Sequence, residues 1–188
     1  IALQKGYFLS AIKCLQQAIL LNPDTPDVYN NLGIAYQQNE QLEEAFNSYK
    51  KALELHPTYL KAFNNIAHVL QLKGEFQEAV TYLERAVAFA PDSIETHYNL
   101  ACVYWQLGQI KEAQEGFQKV LTLNPSFFLA YLKQGDLFHQ LGELDKALEN
   151  YQQVITFAPH CVEAYYNLGN VLKDKGLLGR SLLCYQKA

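Results

Sequence analysis

The sequence predicts an all-α solenoid of antiparallel helix pairs, on three observations. Pro23, Pro57, Pro91, Pro125 and Pro159 stand 34 residues apart without slippage. A strict period of that length marks a repeat array, in which each unit buries its apolar face against its neighbours. Within each period two apolar stripes recur at helical spacing. Between the stripes glycine returns at one place, as Gly74, Gly108, Gly142 and Gly176.

Counted from Pro26, full repeats cover 26–59, 60–93, 94–127 and 128–161, with partial repeats at 1–25 and 162–188, all in one array over 1–188. In the first full repeat Tyr29, Leu32, Gly33 and Tyr36 fall at i, i+3, i+4 and i+7 and define a first helix. Leu42, Ala45, Tyr49, Ala52 and Leu53 define a second. Carried through the array, first helices are expected near 27–39, 61–73, 95–107, 129–141 and 163–175, and second helices near 42–55, 76–89, 110–123 and 144–157. Thr25-Pro26 reads as an N-cap followed by proline at the first helical position. Small residues face each other within each pair, Gly33 with Ala45, Ala67 with Ala79, Ala101 with Ala113, Gly135 with Ala147 and Gly169 with Ser181, which lets the two backbones approach. The turn glycines suit a left-handed residue that ends a helix without steric cost. Glu40 replaces glycine in one turn, so its neighbour Asn39 is expected to take the left-handed position. The repeating proline then stops each second helix.

At the chain's limits, Ile1–Lys5 reads as the tail of a first helix and Ala188 falls within a second helix. Both ends are therefore expected to be cut from a longer array, leaving apolar residues such as Leu182 and Tyr185 exposed.

Composition narrows the function classes. The 188 residues are 49% hydrophobic with a net charge of −4, and no apolar run approaches the roughly 18 residues a membrane span needs. No membrane insertion is expected. The 15 basic and 19 acidic residues are scattered, which argues against nucleic acid as a partner. Cys14, Cys102, Cys161 and Cys184 show no C-x-x-C spacing and suit free thiols in a cytoplasmic or other reducing intracellular compartment. The five histidines, His56, His68, His97, His139 and His160, include no i, i+4 pair on one helix, so neither a metal site nor a catalytic constellation is expected, and no cofactor.

Tyr29, Leu32-Gly33, Tyr36, Ala45, Tyr49, Ala52 and Pro57 together resemble one full tetratricopeptide repeat, and Tyr165-Leu168-Gly169 opens another. The likeness covers essentially the whole chain. It implies a right-handed α-solenoid whose first helices line a concave groove, with groove residues at positions 2, 5, 6, 9, 12 and 13 of each repeat. The slot that the family fills with a core aromatic is occupied by His97 in the third full repeat.

Position 6 carries Asn31, Asn65, Asn99 and Asn167, interrupted by Lys133. An amide can pair with both the C=O and the N–H of an extended peptide, so Asn65 and Asn99 are expected to turn their amides into the groove. Packing between repeats is the competing reading. A second cluster joins Tyr98, Cys102 and Trp105 with His68 from the preceding repeat and His139 from the following one. Trp105 is the sole tryptophan, and such aromatics anchor interfaces; the alternative is that it folds back onto its own array or onto Tyr131. Lys133 and Asp136, three apart, form either a surface ion pair or a receiver for a partner carboxylate. Gln134 beside them breaks the local Leu or Ile pattern.

The family's clamp for chaperone tails is not met. Its five slots read Asn30, Ile34, Asn65, Glu95 and Asn99 from the repeat at 26, and Asn64, His68, Asn99, Leu129 and Lys133 from the repeat at 60. The leading reading is a non-enzymatic scaffold that holds an extended or partly helical segment of a partner protein in the groove. The second is the substrate-selecting arm of a larger enzyme, since Tyr98-Asn99-Leu100-Ala101-Cys102-Val103-Tyr104 and Tyr166-Asn167-Leu168-Gly169-Asn170-Val171-Leu172-Lys173 look like the repeat arm of O-linked N-acetylglucosamine transferases. Self-association through uncapped ends is the third.

Overall fold

The computed structural model describes residues 2–188, with side chains from residue 6 onward. Among the described residues there are eleven helices and no strand, the architecture of an all-α solenoid of helix pairs. The chain clusters into two compact units, Ile1–Val103 and Tyr104–Ala188. The first contains α1 (Ala2–Leu21), α2 (Pro26–Gln38), α3 (Leu42–Leu55), α4 (Leu60–Lys73), α5 (Phe76–Phe89) and α6 (Ile94–Gln106) up to Val103. The second contains the end of α6, then α7 (Ile110–Leu123), α8 (Phe128–Gln140), α9 (Leu144–Phe157), α10 (Val162–Asp174) and α11 (Leu178–Lys187). The 34-residue register places every one of the expected helices to within a residue.

Apolar stripes explain the pairing. In the first unit Tyr49, Phe63, Ile66, Leu70 and Leu83 are fully buried together with the small residues Ala45, Ala52, Ala67 and Ala79. In the second, Leu132, Tyr151, Val154, Leu168 and Leu172 form the core with Ala147 and Ala164, and Tyr131 and Phe138 pack onto it. Helices α3, α5, α7 and α9 each end at a residue that has left helical geometry before proline: His56 (ψ 90), Ala90 (ψ 78), Asn124 (ψ 95) and Ala158 (ψ 76). Proline's ring disfavours helical geometry in the preceding residue, which is what stops the helix there.

The turns inside the pairs are closed by one repeated bond, in which an amide reaches the carbonyl five residues back: Gln41 to Tyr36 (2.9 Å), Glu75 to Leu70 (2.8 Å), Glu143 to Phe138 (2.9 Å) and Leu177 to Leu172 (2.8 Å). This geometry needs one left-handed residue, supplied by Gly74, Gly108, Gly142 and Gly176 at φ near +75°. Glu40, not Asn39, takes that conformation in the remaining turn (φ 63), while Asn39 stays at φ −89. The closing bond fixes which residue must be left-handed, and Asn39 instead spends its amide on Gln41 Oε1 at 2.6 Å.

Other expectations are also corrected. Thr25 occupies the N-cap of α2 with Pro26 behind it, but its hydroxyl makes no capping bond. Residues 2–5 do not form a separate helix tail: α1 runs unbroken through Gly6, because glycine accepts right-handed geometry as readily as left. Ile1 lies outside the described residues. Tyr185 is not an exposed end residue, since its ring lies over Gly169 and its hydroxyl donates to Asn170 Oδ1 at 2.8 Å. Leu182 is exposed. His97 is half-buried and bonds the Pro91 carbonyl through Nε2 at 2.8 Å, so it is not a core aromatic substitute.

Small residues do more than let backbones approach. Gly33, Gly135 and Gly169 each lie beneath a tyrosine ring from the second helix, Tyr49, Tyr151 and Tyr185. Where the sequence has Leu83 in place of the ring, the residue sixteen before it is Ala67, and both are fully buried. Ser181, in the slot of the packing alanines, buries its hydroxyl and donates it to the Gly169 carbonyl at 2.8 Å.

Candidate functional site

First helices present their polar residues to one another in both units, in contacts 35 or 31 residues apart. In the first unit Asn65 Nδ2 on α4 donates to Oδ1 of buried Asn30 on α2 at 2.9 Å. This bond takes one of the two Nδ2 hydrogens of Asn65 and fixes the direction of its amide. Nearby, Tyr49 donates its hydroxyl to Gln37 Oε1 (3.0 Å), so Gln37 must turn its Nε2 to His68 Nδ1 (2.8 Å). This places Nδ1 of His68 as the acceptor, on an exposed ring. Asn31 is exposed, while Tyr98, Asn99 and Cys102 are half-buried. Asn64, next to Asn65, buries an Oδ1 with no hydrogen-bond partner among the described residues.

The second unit carries the denser network, centred on Asp136 of α8. Its Oδ1 accepts from Tyr151 (2.8 Å) and from Asn167 Nδ2 (2.9 Å), and its Oδ2 accepts from Lys133 Nζ (3.2 Å). Lys133 also lies 3.8 Å from Glu163. Two carboxylates of this chain thus hold the lysine, in the ion pair that its spacing from Asp136 allows. Burial, reinforced by the Asp136 charge, pushes the Tyr151 phenol well above the usual tyrosine range. Trp105, half-buried, donates its indole N–H to Gln140 Oε1 at 2.9 Å, and Tyr131 stacks on Phe157 with centroids 5.9 Å apart. His139 donates Nε2–H to Asp174 Oδ2 at 2.7 Å, since a carboxylate only accepts.

Three of these contacts, Asn30 to Asn65, Trp105 to Gln140 and His139 to Asp174, join residues 35 apart, one repeat plus one residue. An open cavity of about 350 Å³ lies on the α8 and α10 side, walled by Asp136, His139, Gln140, Tyr151 and Asn167. Of the residues singled out from sequence, the second unit gathers His139 and Asn167 at this cavity, with Trp105 and Lys133 one bond away. The first unit brings Asn65 to Asn30 and His68 to Gln37, and leaves Asn31 apart. Asn30, Gln37, Asp174 and above all Gln140 and Tyr151 were not among the expected site residues. The signal for several of them was the 35-residue spacing of polar side chains.

Among the described residues no group of three or more His, Cys, Asp or Glu stands together as a metal-holding set. Cys14, Cys161 and Cys184 are thiols. Among the described residues no helix is long and apolar enough to cross a membrane.

Family models for the tetratricopeptide repeat match residues 2–40 and 135–176, 58–126, and 26–59. No curated protein matches the chain. Among solved structures the chain is similar to MamA, at 25% identity over 83% of this chain and 91% of that one, with a TM-score of 0.73. It is also similar to YrrB, described as a TPR protein with an unusual peptide-binding site, at 27% identity over 92% and 89% with a TM-score of 0.67. A tetratricopeptide repeat protein from Parabacteroides merdae shares the fold at 24% identity over 98% and 73%, with a TM-score of 0.82. These neighbours lend no support to the likeness with the repeat arm of O-linked N-acetylglucosamine transferases.

Proposed function

We propose, for a chain that belongs to the tetratricopeptide repeat family, that it is a protein-interaction scaffold which binds an extended segment of a partner protein along its first helices. The observation that carries this reading is the open cavity of about 350 Å³ whose walls are side chains of first helices, with only Tyr151 supplied by a second helix. Polar side chains held in place by neighbours suit recognition, because little conformational freedom remains to be lost on binding. The peptide-binding site of the YrrB relative supports the same reading.

Selection from a displayed library of random peptides of about twelve residues, roughly 40 Å when extended at about 3.3 Å per residue, tests the proposal. Enriched peptides should change the fluorescence of Trp105, whose signal no other indole obscures. Backbone amide shifts should then map to the first helices. Binding confined to the second helices, or no enrichment, would sink the reading.

A further inference from the structure

Two walls of the cavity are primary amides whose orientation a neighbour dictates. Ionised Asp136 can only accept hydrogen bonds, so Asn167 must face it with Nδ2, at 2.9 Å, and turn its Oδ1 away. The indole of Trp105 can only donate, so Gln140 must face it with Oε1, at 2.9 Å, and keeps both hydrogens of its Nε2. No hydrogen bond among the described residues takes up Asn167 Oδ1 or Gln140 Nε2. The cavity therefore offers one fixed acceptor and one fixed donor.

Resting on the peptide-binding reading above, we propose that this cavity binds a carboxamide group of the partner, whose oxygen accepts from Gln140 Nε2 and whose N–H donates to Asn167 Oδ1. Asp136 and Trp105 act as positioning residues: each locks the polarity of one amide, and neither needs to touch the ligand. A carboxylate in the same place has no N–H for Asn167. It also meets the negative charges of Asp136, a cavity wall, and of Asp174, bonded to the wall residue His139. Lys133, which could have drawn it in, is already held by Asp136 and Glu163. The site thus selects amide over acid. Its volume, several times the ~30 Å³ of a water molecule, accommodates a peptide bond or the side chain of a glutamine or asparagine.

The test uses the full chain labelled with ¹⁵N and the peptides enriched from the library. An enriched peptide should move the side-chain NH₂ resonances of Gln140 and Asn167. Where the carboxamide is a side chain, replacing that glutamine or asparagine by the corresponding acid should weaken binding by about tenfold or more. Gln140→Leu, at an exposed position, should weaken binding without shifting thermal unfolding. Asp136→Asn, which frees Asn167 to turn over, should narrow the preference of amide over acid. If alanine in place of the peptide's glutamine or asparagine leaves affinity intact while main-chain N-methylation abolishes it, the carboxamide is a peptide bond; the reverse pattern assigns it to a side chain. Peptides that bind while both NH₂ signals stay still, or whose affinity survives both the alanine and the N-methyl replacements, overturn the carboxamide site and leave peptide binding standing. A library that yields no binder overturns both.

Discussion

Gly135 lies beneath the ring of Tyr151: a Cβ added to the glycine would stand 2.6 Å from Tyr151 Cε1. The ring has nowhere to retreat. It is 1% exposed, and its hydroxyl is held by Asp136 at 2.8 Å. Gly135→Ala should therefore cost about 1–3 kcal/mol, the range for overpacking a filled core. Gly135→Ala combined with Tyr151→Leu reproduces the Ala67 and Leu83 pairing of another repeat and should be less destabilised than the two single changes added together. Urea unfolding of the four proteins of this cycle measures the coupling. Strict additivity would show that the ring and the glycine do not constrain each other.

Glu40 holds a left-handed backbone (φ 63) at the place where Gly74, Gly108, Gly142 and Gly176 do so. A residue with a Cβ is strained there by about 1–2 kcal/mol. Glu40→Gly should stabilise the first unit by about 1 kcal/mol after the greater freedom of glycine in the unfolded chain is deducted. Gly74→Ala should destabilise by a similar amount. A loss of stability in Glu40→Gly, read from chemical denaturation, would mean that contacts of the glutamate outweigh its strain.

The period of 34 made the helices legible, because proline and glycine act locally and each repeat states the same boundary again. The exceptions are places where local chemistry allows two answers. Gly6 fits either a turn or a continuing helix, and Asn39 and Glu40 compete for one left-handed slot. The candidate site was legible by position but not by atom. His139 and Asn167 stand at the cavity, yet nothing in the composition says that Asn167 faces Asp136 with its nitrogen or that Gln140 faces Trp105 with its oxygen. Those orientations depend on which side chains of successive first helices meet, 35 residues apart for Trp105 and Gln140 but 31 for Asp136 and Asn167. The pairing of glycine with tyrosine was written in the repeats themselves, and becomes visible only when residues 16 apart are compared, as in Gly33 with Tyr49.

Three tyrosines tie stability to alkaline pH. Burial pushes the phenols of Tyr49 and Tyr151 far up, and burial together with the bond to Asp27 pushes Tyr59 up to about 12. An unfolded tyrosine ionises near pH 10. Between that value and the higher folded value the folded chain retains protons that the unfolded chain has lost, so their contribution is fully present below about pH 10 and declines as pH rises above it. Urea unfolding should give a flat profile for these groups up to about pH 10 and a steep fall beyond. The double variant Tyr49→Phe, Tyr151→Phe should flatten that fall while lowering stability at neutral pH, because Gln37 and Asp136 lose their phenol donors. An unchanged alkaline slope in the double variant would remove these two tyrosines from the account.

Asn65 and Asn31 occupy the same position in successive repeats, yet they should respond differently to replacement. Asn65 donates to Asn30 Oδ1 at 2.9 Å, and Asn30 is only 3% exposed. Asn65→Ala leaves that buried oxygen without its donor, which costs about 1–3 kcal/mol. Asn31 is exposed, and Asn31→Ala should change stability by no more than about 0.5 kcal/mol. Affinity for a peptide selected on the wild-type chain, measured at a temperature where both variants are fully folded, then separates the two roles of this position. Weaker binding in Asn31→Ala with unchanged unfolding makes the exposed amide a contact for the partner. Equal destabilisation of the two variants would show that the bond to Asn30 does not set the energetics, and that the position is governed by packing within each repeat.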